Sequence, residues 1–156
     1  MTSAREEDAA VLIAHIGRGG ARVSVELALT PYEAYRRQAG LVQLPLTFPK
    51  RGDGLVDTGS EVSVISDKAA DALELESLRT VPVVTIHGEE PGEVCAVQVT
   101  LGPDRQPRSR PVEVHAVRRP LRAIHLLIGR DILRHGQMTW DGPAAAATLR
   151  FPVATH

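Results

Sequence analysis

The chain has a single cysteine, Cys95, among its 156 residues. That excludes an intrachain disulfide and a Cys-x-x-Cys zinc pair. A reducing, cytoplasmic compartment is the simplest expectation. Aromatic residues are scarce at 3%, so Val, Leu, Ile and Ala must fill most of the core. Neither sign of charge dominates: the formal net charge is −1, which gives no ground for expecting nucleic acid or a membrane surface as partner. Long apolar runs are missing as well. Ala9–Ile16 is broken by His15, is too short for a membrane span, and follows an acidic start that flanks a signal peptide poorly. No P-loop, GxGxxG, HExxH or GxSxG pattern occurs. The six histidines have no metal-ligand spacing with Cys95 or with each other, so neither a metal site nor a cofactor is expected. Lysine is rare beside arginine and alanine is abundant, which points to a GC-rich bacterial coding sequence. The arginines of 105–122 read as a solvated surface.

What is present is a succession of short segments, rich in apolar and β-branched residues, separated by Gly, Pro and Asp. This spacing predicts an all-β domain with a few short helices. Val11–Ile16 and Ala21–Leu29 flank Gly17-Arg18-Gly19-Gly20 and fit a β-hairpin; the rival is a first-segment helix opened by the capping-box spacing of Ser3 and Glu6. Thr30-Pro31-Tyr32-Glu33 is a helix start, with the helix running to about Gln38 and stopping at Gly40. Leu41–Phe48 reads as a strand with Pro45 at an edge or bulge, and Lys50–Gly54 as a turn. Val62–Ile65 is a strand, and Ser66 caps a brief helix through Ala72. Val81–His87 and Glu93–Leu101 form a long hairpin over Gly88–Gly92. A polar loop, Gly102–Arg110, leads to the strands Val112–Val117 and Ile124–Ile128. A short helix, Arg130–His135, and a last hairpin, Gln137–Trp140 with Ala147–Phe151, complete the chain.

The segment that carries chemistry is Gly54-Leu55-Val56-Asp57-Thr58-Gly59-Ser60. An apolar strand runs straight into a carboxylate, which is costly unless that group is hydrogen-bonded or functional. Gly59 lets the backbone turn and bring its N–H toward Asp57, and Thr58 offers a hydroxyl. Alone, Asp-Thr-Gly is weak, because Asp-x-Gly is ordinary turn chemistry. The second block is Ile124-His125-Leu126-Leu127-Ile128-Gly129-Arg130-Asp131-Ile132-Leu133, an apolar strand, a glycine and an amphipathic turn of helix.

Together the two blocks resemble the retropepsin-like family of aspartic proteases, and a bacterial member of it. The pattern matches in order and spacing: Leu55 to Ser60, then Ser63-Val64-Ile65, a candidate flap at Val83–Val99, then Leu127 to Leu133. The resemblance covers about Leu41 to Phe151, which places a retropepsin-like protease domain at residues 41–156. Residues 1–40 are an extension of hairpin plus short helix that can cap the barrel, add strands at a dimer contact or act as a removable pro-segment. The resemblance implies a retropepsin-like closed β-barrel, one lobe per subunit, and a homodimer acting on a peptide or protein substrate. One Asp-Thr-Gly per chain agrees with that, since the chemistry takes two carboxylates and the chain is too short for two lobes.

The implied mechanism needs no cofactor or metal. Paired Asp57 groups share a proton; the ionised one takes a proton from water and the other donates to the scissile carbonyl. Asp57, Thr58 and Gly59 are the catalytic set, with Thr58 bonding across to the other subunit's loop. Ser60, His87, Gly88 and Glu89 are the substrate-binding and flap residues. Ser60 is expected to donate to Asp57, and Glu89 and Glu90, if they face the cleft, favour basic substrates. Glu61, Gly129, Arg130 and Asp131 support the site, with an ion pair expected between Glu61 and Arg130, or Asp131 as the arginine's partner instead. Two other readings stay open: a non-enzymatic dimer that binds peptides or assembles, and an unrelated small β-barrel.

Overall fold

The computed structural model describes residues 9–103 and 107–153. The Ser3–Glu6 capping box, Arg105 and His156 lie outside the described residues. Along the chain run β1 (Ala9–Gly17), β2 (Gly20–Ala28), α1 (Pro31–Gln38), β3 (Lys50–Val56), β4 (Val64–Ser66), α2 (Asp67–Ala72), β5 (Arg79–Thr85), β6 (Gly88–Leu101), β7 (Val112–Arg119), β8 (Leu126–Ile128), α3 (Arg130–Leu133), β9 (Gln137–Asp141) and β10 (Ala146–Pro152). The fold is all-β with short helices, as the residue pattern predicts.

The strands form one sheet in the order β5-β6-β7-β4-β8-β3-β2-β1-β10-β9, and an extra pairing of β6 with β2 closes six of them into a ring. Alternating side chains fill its interior. Val23, Val25 and Leu27 of β2 meet Val97, Val99 and Leu101 of β6, Leu126 and Ile128 of β8, and Ile132 of α3, all buried. Each fully buried Leu or Ile contributes roughly 1.5–3 kcal/mol. β1, β10 and β9 extend the ring on one side, while β5 hangs from β6 on the other.

The local signals hold where the interaction itself is local. β1 and β2 make the hairpin, with Gly17 opposite Gly20. Thr30 caps α1 by accepting from the Glu33 N–H at 3.2 Å, and Gly40 follows the helix at φ +70°. Ser66 caps α2 by accepting from the Ala69 N–H at 3.1 Å.

Three expectations fail for non-local reasons. Lys50–Gly54 is no turn: it lies inside β3, with Arg51 to Gly54 paired to β2. Its glycines answer to close packing, since a Cβ on Gly52 would stand 2.0 Å from the His125 ring, and one on Gly54 2.6 Å from Val25 and 2.8 Å from Ile128. Leu41–Phe48 is no strand. The buried Arg37 takes the Pro45 carbonyl at 3.0 Å, together with those of Leu73 (3.0 Å) and Glu74 (2.6 Å), so this segment is moored to the end of α2 rather than to a ladder. The β5–β6 hairpin turns at Ile86-His87, with Thr85 opposite Gly88. Glu89, Glu90, Pro91 and Gly92, expected in the turn, belong to β6.

Candidate active site

β3 delivers Asp57. It runs parallel to β8, with Gly54, Leu55 and Val56 opposite Leu126, Leu127 and Ile128. The two blocks singled out in the sequence are therefore side by side in the sheet. The Asp57 N–H continues the ladder by donating to the Ile128 carbonyl at 2.9 Å. There the strand ends and the chain turns, the Ser60 N–H closing on the Asp57 carbonyl at 3.2 Å. The Gly59 N–H donates to Asp57 Oδ1 at 3.0 Å. A Cβ on Gly59 would come within 3.3 Å of that oxygen, so the glycine lets backbone and carboxylate meet. Asp57 is half-buried, with Thr58 and Gly59 exposed. A partly desolvated carboxylate is thus held by one peptide N–H at an open loop.

The loop rests on the start of α3. The Arg130 N–H donates to the Ser60 carbonyl at 2.9 Å and the Asp131 N–H to the Glu61 carbonyl at 3.2 Å. The Arg130 guanidinium donates to the Thr58 carbonyl at 3.3 Å. Gly129 is tightly enclosed: a Cβ there would lie 2.6 Å from the Val62 carbonyl group. Thus Arg130 and Asp131 bond the segment that carries Asp57, Thr58, Gly59, Ser60 and Glu61, and Gly129 packs just beyond it against Val62 and Ser63.

Two expected contacts are absent. The Ser60 hydroxyl donates to the Val62 carbonyl at 2.6 Å, not to Asp57; turning back into the loop, it finds a nearer backbone acceptor. Among the described residues no ion pair joins Glu61 to Arg130, because the guanidinium is turned to the Thr58 carbonyl. Asp131 is not the arginine's partner either. Its Oδ1 accepts the Ser63 hydroxyl at 2.6 Å and its Oδ2 the Ser63 N–H at 2.9 Å.

Ser63 lies in the matched pattern, but the motif reading gave it no role. It is 0% exposed, and its hydroxyl also accepts the Gly129 N–H at 3.0 Å. One signal was available: Ser63 shares a strand face with Ile65, so a hydroxyl occupies a core position of an apolar run. His87 sits in the hairpin turn, its N–H donating to Thr85 Oγ1 at 3.1 Å. Gly88 has φ +114°, and Glu89 is exposed opposite Val84. Among the described residues, no hydrogen bond or ion pair links these three to the Asp57 loop.

The family model described as aspartyl protease matches residues 49–132, from the start of β3 to α3. No curated protein matches the chain. A retropepsin-like aspartic protease from Rickettsia conorii has a similar structure, with TM-score 0.54 and 14% identity over 94% of each chain. The retroviral protease-like domain of Ddi1 from Leishmania major gives TM-score 0.41 and 16% identity, covering 85% of this chain and 94% of that one. The matched family segment is more than half of the chain and contains both strands that build the Asp57 loop. The ring of strands is of the retropepsin-like kind, and the chain belongs to the aspartyl protease family.

Proposed function

We propose that the protein is a homodimeric aspartic endopeptidase whose reaction centre forms when two Asp57 loops meet on a two-fold axis. The observation that carries this reading is the Asp57 carboxylate itself, half-buried at the end of β3 and already bonded to the Gly59 N–H. Desolvating a carboxylate is costly, and a scaffold has no use for one in this position. The chain supplies one such loop, so the second carboxylate comes from a second copy in an isologous contact.

In this reading one carboxylate of the pair acts ionised and the other protonated. The ionised member draws a proton from a water held between them while the protonated member donates to the peptide carbonyl. The oxygen attacks the carbonyl carbon, and the amine leaves with a proton returned by the dyad. Thr58, exposed and with no side-chain hydrogen bond among the described residues, is free to bond the other loop. The β5–β6 hairpin serves as the flap, with His87, Gly88 and Glu89 at or beside its turn. Glu89 is exposed opposite Val84, and Glu90 pairs with Arg119 at 2.7 Å.

The test is peptide-library cleavage by wild type and by Asp57→Asn, with the solution mass of each. The reading requires turnover by a wild-type dimer and at least a thousandfold loss in the variant. Equal turnover, or turnover by a monomer, sinks it.

A further inference from the structure

The β5–β6 hairpin outruns its neighbour. The last residues of β6 and β7 that pair are Val94 and Val117. Beyond them β7 turns its edge to β4, with Ile65 opposite Arg118 and Ser66 opposite Arg119. From Thr80 to Glu93 the hairpin is therefore a two-stranded ribbon, with no third strand beside it among the described residues. A ribbon of this kind is marginal alone, and this one also exposes Val84 (84%) and Ile86 (95%).

By strand alternation, Val94, Gly92 and Glu90 share one face of β6. Gly92 is buried where a Cβ would meet Val83 at 2.5 Å and Val117 at 2.9 Å, so the ribbon is pinned at its root. Val117 in turn donates its N–H to the Ser63 carbonyl at 3.1 Å, which sets the root beside the segment that leaves the Asp57 loop. Two residues outward, the Glu90 carboxylate meets the Arg119 guanidinium at 2.7 Å. Among the described residues this is the one ion pair between the body and the ribbon beyond Gly92. Glu93, on the opposite face, reaches only Arg118 at 4.0 Å, and Arg118 is engaged by Asp67 and Asp71.

We propose that the Glu90–Arg119 ion pair is the latch of this arm, a positioning contact that holds residues 83–91 against the body and is released when the arm opens for substrate. Calling the arm a flap rests on the function proposed above. Both partners are partly exposed, so the pair biases opening by roughly two- to fivefold rather than locking it. That strength suits a lid that must open in every turnover.

Hydrogen exchange tests the latch without any substrate. Glu90→Gln and Arg119→Gln should each speed exchange of the amides of residues 83–90 about two- to fivefold, leaving β2, β3 and β8 unchanged. The double variant Glu90→Arg with Arg119→Glu should restore the wild-type rate. Unchanged exchange in the single variants, equal acceleration throughout the sheet, or no recovery in the double variant overturns the proposal. On a peptide that the wild type cleaves, the single variants should raise KM more than they lower kcat; a fall in kcat at constant KM also overturns it. If no peptide is cleaved by the wild type, the protease reading fails and the latch is judged by exchange alone.

Discussion

Ser63 and Asp131 are locked together by two hydrogen bonds, hydroxyl to Oδ1 at 2.6 Å and backbone N–H to Oδ2 at 2.9 Å. The pair joins the chain that leaves the Asp57 loop to the first turn of α3. Because Ser63 also receives the Gly129 N–H, one hydroxyl ties its own segment to the start of α3 at both Gly129 and Asp131. The loop that presents Asp57 is therefore held by the buried Ser63 and Gly129 and by Asp131.

Ser63→Ala should cost about 1–3 kcal/mol, because it leaves the buried Gly129 N–H without its acceptor and removes one of the two hydrogen bonds to Asp131 Oδ1, which keeps the Ile132 N–H at 2.9 Å. Urea unfolding measures the loss. An unchanged midpoint would show that the network does not brace the loop.

Arg37 is buried and forks between the Glu33 carboxylate and the carbonyls of Pro45, Leu73 and Glu74. A lysine keeps the charge but cannot span that fan of acceptors. Arg37→Lys should destabilise by about 2 kcal/mol and speed proteolysis within 41–49 first. Limited proteolysis with mass spectrometry reads the cut site, and a first cut elsewhere contradicts the account.

Glu26 contributes to acid stability. Burial pushes its carboxyl up, but hydrogen bonds and charge from Arg51 and Arg108 outweigh this and hold it below its ordinary value of 4.5. A group with a lowered folded pKa stabilises the fold above the unfolded value and ceases to do so as pH falls through the folded one. Stability should therefore decline as pH drops below about 4.5, and Glu26→Gln should flatten that decline while lowering stability near neutral pH. Thermal melts from pH 3 to 7 decide it; parallel curves for the two proteins would refute the assignment.

Removing residues 1–40 should unfold the protein rather than release a mature form. β2 lies in that segment and pairs with both β3 and β6, and Val23, Val25 and Leu27 belong to the core. Circular dichroism and gel filtration of the truncated chain provide the check; a folded, active product would favour the pro-segment idea.

Much of this molecule was legible along the chain wherever the deciding contact is local or the signal is a matched pair of motifs. Thr30 and Ser66 cap their helices through partners three residues away, so the caps can be read within a short window. Asp57-Thr58-Gly59 and Leu127-Ile128-Gly129 had to be read together, and the parallel pairing of β3 with β8 is what makes them one site.

The sequence by itself determined the all-β pattern, the placement of a lone carboxylate at a strand end, and the helix caps, because each follows from neighbouring residues and strand alternation. Only the tertiary structure decided that Gly52 and Gly54 lie within a strand, since the side chains that crowd them, His125 and Ile128, come from far along the chain. It also decided that Ser60 turns to Val62, that Asp131 serves Ser63 rather than Arg130, and that Arg119 holds Glu90. A hydroxyl or a charge takes whichever partner the folded chain brings within about 3 Å, and no local window contains that information.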